Sequence, residues 1–134
     1  MKPGKAFIDT NVLLYLAAAD EAKSDRAEEI LRAGGIVSVQ VLNEFVSVAR
    51  RKTRLGLGDI RTMLDVVRRF CEVTPLDLAT HDLALDVCER YGLSIYDSLI
   101  VAAAARAGAT TLWTEDLQHG QTIAGVTIAN PFAA

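Results

Sequence analysis

Apolar residues along this chain alternate between short continuous blocks and longer stretches in which they recur at helical spacing. The first block predicts a buried strand over residues 5–8, and residues 12–19 read as a helix. A charged helix over 24–33 follows, stopped by Gly34 and Gly35. Residues 36–39 form a second block. Residues 41–52 carry Val41, Phe45, Val48 and Ala49 on one helical face. Further helices are expected over 59–70, 80–90 and 95–107, with Gly92 and Gly108 closing the last two. Strands are expected over 71–74, 111–114 and 126–129, two of them running into Pro75 and Pro131. Because the two periodicities alternate, the fold class is α/β: a mostly parallel sheet of four to five strands with helices on both faces.

No repeat, low-complexity tract or linker breaks the pattern, so residues 1–134 read as one domain with ample apolar content for a core. The longest apolar run, residues 99–105, falls far short of the roughly 20 residues that span a bilayer. Asp9 interrupts any apolar leader at once, and the expectation is a cytoplasmic protein with no membrane association. Cys71 and Cys88 form no CxxC pair and read as reduced core thiols, while His81 and His119 lie too far from any cysteine pair to propose zinc. The net charge of −3 excludes a generally cationic nucleic-acid binder, which leaves only a local basic patch for that purpose.

Four acids change the picture. In a parallel α/β sheet the carboxyl ends of strands and the N-termini of the returning helices share one edge. Asp9 follows the first strand, Glu44 sits early in the helix after the second, Asp97 starts the helix leading into the fourth, and Asp116 closely follows the fourth. All four therefore map to that edge. Each also has a plainer explanation. Asp9 is a good helix cap within Asp9-Thr10-Asn11, Glu44 suits a solvated helix face, and Asp116 suits a turn. Glu44, however, lies only roughly 40° from Val48, on the shoulder of the apolar stripe. Asp97 opens a helix that is apolar all round, with Ile100 and Val101 one turn on, so its carboxylate is expected along a buried face. A helix dipole returns only about 0.3–1 kcal/mol against a burial cost of several. A bound cation would offset it, as would protonation or a hydrogen-bond network. Clustered carboxylates without organised Cys or His call for a hard ion, Mg²⁺ or Mn²⁺, and the chemistry such an ion offers is phosphodiester hydrolysis.

The segments Phe7-Ile8-Asp9-Thr10-Asn11-Val12-Leu13, Val41-Leu42-Asn43-Glu44-Phe45, Ile95-Tyr96-Asp97-Ser98-Leu99-Ile100 and Leu112-Trp113-Thr114-Glu115-Asp116-Leu117-Gln118-His119-Gly120 resemble, in order, the successive motifs of PIN-domain ribonucleases, particularly VapC-type toxins. The resemblance implies a PIN-like three-layer sandwich in which Asp9, Glu44, Asp97 and Asp116 are the metal-binding and catalytic acids, with Thr114 supporting the site. It further implies an RNA substrate, cleavage dependent on Mg²⁺ or Mn²⁺, a homodimer, and silencing by a cognate antitoxin protein whose tail covers the site. Glu115 has no assigned role in that pattern.

The densest basic cluster, Arg50-Arg51-Lys52-Thr53-Arg54, either tracks phosphates or complements the dipole at the end of its helix. Arg68 and Arg69 read as a solvated helix end, and Gln118 and His119 as a surface loop. A haloacid-dehalogenase-like phosphatase would want a second Asp where Asn11 stands. A dinucleotide-binding enzyme would want a third glycine beyond Gly56-Leu57-Gly58. The remaining alternative is a non-catalytic PIN-like module that binds RNA or protein, which would predict the loss of one or more acids.

Overall fold

The computed structural model describes residues 5–133 and forms a three-layer α/β sandwich. Strands β1 (Lys5–Ile8), β2 (Gly35–Ser38), β3 (Cys71–Thr74), β4 (Ala109–Trp113), β5 (Thr122–Ile123) and β6 (Val126–Ala129) form a single sheet in the order β3-β2-β1-β4-β6-β5. Every pairing is parallel except that of β5 with β6. Helix α1 (Thr10–Leu14) continues into a short 3₁₀ turn. It is followed by α2 (Glu21–Arg32), α3 (Val39–Lys52), α4 (Leu57–Phe70), α5 (Leu78–Tyr91) and α6 (Ile95–Arg106).

Strand order grows outward from β1 to β3 and then reverses to β4. Right-handed crossovers therefore set α1–α4 on one face and α5 and α6 on the other. Packing agrees: α1 touches α2 and α3, α3 touches α4, and α5 lies along α6, which covers β4. Phe7, Ile8, Ile36, Val37, Leu112 and Ile128 fill the middle layer, and Val41, Phe45 and Ala49 bury the predicted stripe of α3. No described helix is long and apolar enough to cross a membrane. Cys71 and Cys88 are free thiols, as expected. Met1 to Gly4, which bear on the leader reading, lie outside the described residues.

Most element ends shift by a few residues from expectation, with α2 opening at Glu21, α3 at Val39 and β4 at Ala109, and two larger departures stand out. The first helix begins at Thr10, because Asp9 caps it, and its last turn tightens to 3₁₀ before Ala18 turns extended. The sheet has six strands, not four to five, because the short β5 pairs back onto β6 through a tight turn. In that turn Ala124 and Gly125 both take positive φ, 52° and 82°. An alanine at the first of those positions hides the Asn-Gly or Asp-Gly signal of such hairpins.

Gly35 opens β2 against β1 so closely that a Cβ there would lie 2.5 Å from the Ala6 carbonyl oxygen. Gly35→Ala is expected to lower stability by about 1–3 kcal/mol, through overpacking against backbone that cannot swing aside. Urea denaturation monitored by circular dichroism would measure it.

Candidate metal and nuclease site

The reversal of strand order falls between β1 and β4, and in open α/β sheets the crevice beyond the carboxyl ends at such a point is where ligands bind. Asp9 emerges there from β1. Its backbone N–H still donates to the Trp113 carbonyl at 3.0 Å, so the β1–β4 ladder fixes its position. Its side chain is 5% exposed. One carboxylate oxygen accepts from the Thr10 N–H at 2.7 Å, and the other from the Thr114 hydroxyl at 2.9 Å. Capping and site-building are thus done by the same residue.

Asn11 ties the two strand ends together. Its Nδ2 donates to Asp9 Oδ2 at 3.3 Å, Thr114 Oγ1 at 3.2 Å and Asp116 Oδ2 at 2.9 Å, while its Oδ1 accepts from the Glu115 N–H at 3.2 Å. Thr114 is fully buried, and its Oγ1 also accepts from the Asp116 N–H at 3.1 Å. Glu44, half-buried on α3, accepts from the Thr10 hydroxyl at 2.9 Å and from Gln40 Nε2 at 2.8 Å. Asp97 stands in the first turn of α6, its N–H donating to the capping Ser94 hydroxyl.

Burial, opposed by the hydrogen bonds from Thr114 and Thr10 and reinforced by the charges of Asp116 and Glu44, pushes the Asp9 carboxyl up to about 7. Burial also raises Asp97, helped by the charges of Asp116 and Glu44 and opposed by the Ser94 hydrogen bond. The four acids therefore share one edge and sense one another electrostatically. Two details depart from the sequence reading. The deeply buried carboxylate is Asp9, whereas Asp97 is half-buried, because the closed part of α6 begins one residue later at Ser98. Nor do the acids converge into a tight cage: among the described residues no three His, Cys, Asp or Glu side chains are grouped to hold an ion. The reason is visible in the bonding. Asn11 interposes a neutral donor between Asp9 and Asp116, and Thr10 with Gln40 engages both oxygens of Glu44.

This donor set fits a hydrated hard ion better than a closed cage. Mg²⁺ usually takes one or two carboxylates, several waters and substrate phosphate oxygens, and the burial that raises Asp9 and Asp97, with the smaller repulsion from Asp116 and Glu44, is what a cation would offset. Sequence reasoning missed Thr10, Asn11 and Gln40 as members of the site. The Gln40–Glu44 spacing of one helical turn was the available signal for the last of these.

Beside Asn11, Lys52 lines a groove of about 530 Å³ together with Tyr15 and Glu115. The basic end of α3 therefore reaches the neighbourhood of the site, while Arg68 and Arg69 are exposed at the end of α4. His119 is exposed, and its Nδ1 accepts from the Asn130 N–H at 2.9 Å, a loop-pinning role.

The PIN domain model matches residues 6–122, and the chain belongs to that family. It is 33% identical over 120 residues to ribonuclease VapC7 of Mycobacterium tuberculosis, a match spanning 81% of this chain and 80% of that protein. Among solved structures it resembles a toxin–antitoxin complex from Klebsiella pneumoniae, with TM-score 0.72, 17% identity, and coverage of 96% of this chain and 99% of the other. It also resembles VapC20 of Mycobacterium tuberculosis, a toxin that cleaves the sarcin–ricin loop, with TM-score 0.67, 18% identity, and coverage of 83% and 91%. At those identities the structural likeness speaks for the fold.

Proposed function

We propose that this chain is a divalent-metal-dependent endoribonuclease, built as a single PIN domain, and the toxin of a toxin–antitoxin pair. The observation that carries the reading is the pair Asp9 and Asp116 at the strand-order reversal, linked through Asn11 and Thr114 and flanked by Glu44 and Asp97. The 33% identity to a ribonuclease of the VapC group supports it.

In this reading Asp9, Glu44, Asp97 and Asp116 would hold a Mg²⁺ or Mn²⁺ ion. When bound, the ion supplies a lowered pKa for water, orientation for in-line attack, and relief of charge on the phosphate and leaving oxygen. The protein does the rest. Asp9, its carboxyl pushed up to about 7 by burial, would be held ionised by a cation at this centre. Thr114 and Asn11 keep its oxygens turned to the crevice, and Gln40 and Thr10 fix the rotamer of Glu44. Lys52 and the neighbouring Arg50 and Arg51 supply cationic surface for the RNA backbone.

The partner side of the reading rests on toxin–antitoxin complexes among the structural relatives. An antitoxin tail would place an Arg or Lys among the carboxylates, substituting side-chain charge for metal charge. A homodimer has apolar surface to use in Leu78 and Leu85 on α5 and Tyr96 on α6, which are 74%, 49% and 68% exposed. The setting for both partnerships is the cytoplasm.

The test is RNA cleavage by the purified chain with Mg²⁺, with Mn²⁺ and with EDTA, alongside Asp97→Asn. Cleavage is expected only with an ion, and the variant is expected to fall by about a hundredfold or more. Identical behaviour of wild type and variant would favour the binding module instead.

A further inference from the structure

Glu115 lies between two residues of the site, yet its side chain turns away from the other acids. It reaches toward α2, where Lys23 Nζ lies 3.5 Å from Glu115 Oε2. Lys23 is itself seated in an aromatic cradle. It donates to the Tyr15 hydroxyl at 3.1 Å, and its ammonium lies 4.8 Å from the Tyr15 ring centre and 5.0 Å from that of Phe132. Those two rings meet edge to face at 4.9 Å. The segment carrying Phe132 is tied down in turn, because the Pro131 carbonyl accepts from Arg26 Nε at 3.1 Å and the Arg26 guanidinium stacks over Trp113 at 5.3 Å. From the other side, the Glu115 N–H donates to Asn11 Oδ1.

An isolated surface ion pair contributes little, largely because two long side chains must be ordered to form it. Here the cradle and the Tyr15 hydroxyl already hold the lysine, and the Asn11 bond already holds the backbone of Glu115. Most of that ordering cost falls elsewhere.

We propose that Lys23 and Glu115 form a clamp, braced by Tyr15 and Phe132, that fixes the loop after β4 so that Asp116 faces the metal site. Both are positioning residues: Glu115 is not a ligand and Lys23 does not touch substrate. The proposal rests on the metal-dependent reading above.

Two explanations of Lys23 predict opposite signs. If it acted only as a nearby positive charge, removing it would tighten cation binding. A clamp predicts that Lys23→Met weakens Mn²⁺ binding about tenfold, as loss of groups that orient ligands does. Lys23→Arg, which keeps charge and cation–π contact, should restore most of it. Glu115→Ala should weaken binding by a similar factor, and the double variant Lys23→Met with Glu115→Ala should be no weaker than either alone. Mn²⁺ affinity of the full chain would be read by titration in electron paramagnetic resonance. Amide hydrogen exchange over residues 114–118 should accelerate in Lys23→Met. Unchanged or tighter Mn²⁺ binding, with unchanged exchange, overturns the clamp while leaving the nuclease reading intact. A wild-type chain that binds no Mn²⁺ overturns the metal reading, and the clamp with it if exchange is also unchanged. Faster exchange in that case upholds the clamp as the anchor of the loop.

Discussion

Asp9→Asn is expected to slow RNA cleavage by at least about a hundredfold and, in the absence of metal, to raise the melting temperature at pH 8. Loss of a charged group acting at a reacting centre commonly costs on the order of 10²–10³ in rate. Stability moves the other way because Asp9 is buried and its folded pKa is raised from 3.8 to about 7. The folded protein thus binds this proton more tightly than the unfolded chain between about pH 4 and 7. The associated stability is fully present below about pH 4 and is lost as pH rises through 7. At 1.36 kcal/mol per unit the loss is roughly 4 kcal/mol. Asparagine escapes it, at the cost of one mismatched contact when its amide nitrogen takes the Oδ1 position and faces the Thr10 N–H donor to donor, about 1–3 kcal/mol, while its carbonyl keeps the Thr114 and Asn11 donors. The net expectation at pH 8 is a gain of roughly 1–3 kcal/mol, or roughly 5–10 °C. Melting curves in EDTA from pH 4 to 8 would show the wild type falling more steeply than the variant, which keeps the smaller contribution of Asp97. Saturating Mg²⁺ should reverse the order at pH 8, since an ion that binds only the folded wild type stabilises it by mass action. A wild type that is the more stable of the two in EDTA at pH 8 contradicts the account.

Such a trade is what a functional carboxylate built into a core should show, and it explains why the sequence made the site legible but misjudged its depth. The order of strands and helices was enough to bring Asp9, Glu44, Asp97 and Asp116 to one edge, since that follows from alternating periodicity and the hand of crossovers. Burial of a single side chain is a finer matter. Asp97 looked the more enclosed because its helix is apolar all round, yet it occupies the first turn, where α6 meets solvent. Asp9 looked like an ordinary cap. Only the pairing of β1 with both β2 and β4 reveals that it leaves the centre of the sheet, between two neighbours. Asn11 and Thr10 carry no charge and no metal-ligand signature, so nothing in their local pattern distinguished them from helix-capping residues, and Gln40 was marked only by lying one turn before Glu44. The contacts of Thr10 and Asn11 are long-range, across as many as 105 positions in the bond from Asn11 to Asp116. The β5–β6 hairpin was missed for a local reason, an alanine in a turn position that glycine or asparagine normally fills.

Asn11→Ala should weaken Mg²⁺- or Mn²⁺-dependent cleavage by about 10–100-fold without removing any acid. The side chain touches Asp9, Thr114, Asp116 and the backbone of Glu115 together. Without it, Asp116 keeps only its backbone bond to Thr114 among these contacts and is free to swing toward solvent, while Asp9 loses one of its three donors. Two effects then oppose each other. Removing the interposed amide brings the charges of Asp9 and Asp116 into more direct repulsion, which raises Asp9 further and makes the site hungrier for a cation. Releasing Asp116 makes it less able to hold one. The second effect should dominate, because repulsion between an exposed and a buried carboxylate relaxes by rotation of the exposed one. Asn11→Asp discriminates the two contributions. It restores an acceptor for the Glu115 N–H but adds a fifth negative charge and removes every donor, so its pH–rate profile should move to higher pH than that of Asn11→Ala. If Asn11→Ala cleaves RNA at the wild-type rate at every metal concentration, the amide bridge is structural decoration and Asp116 is held by the loop alone.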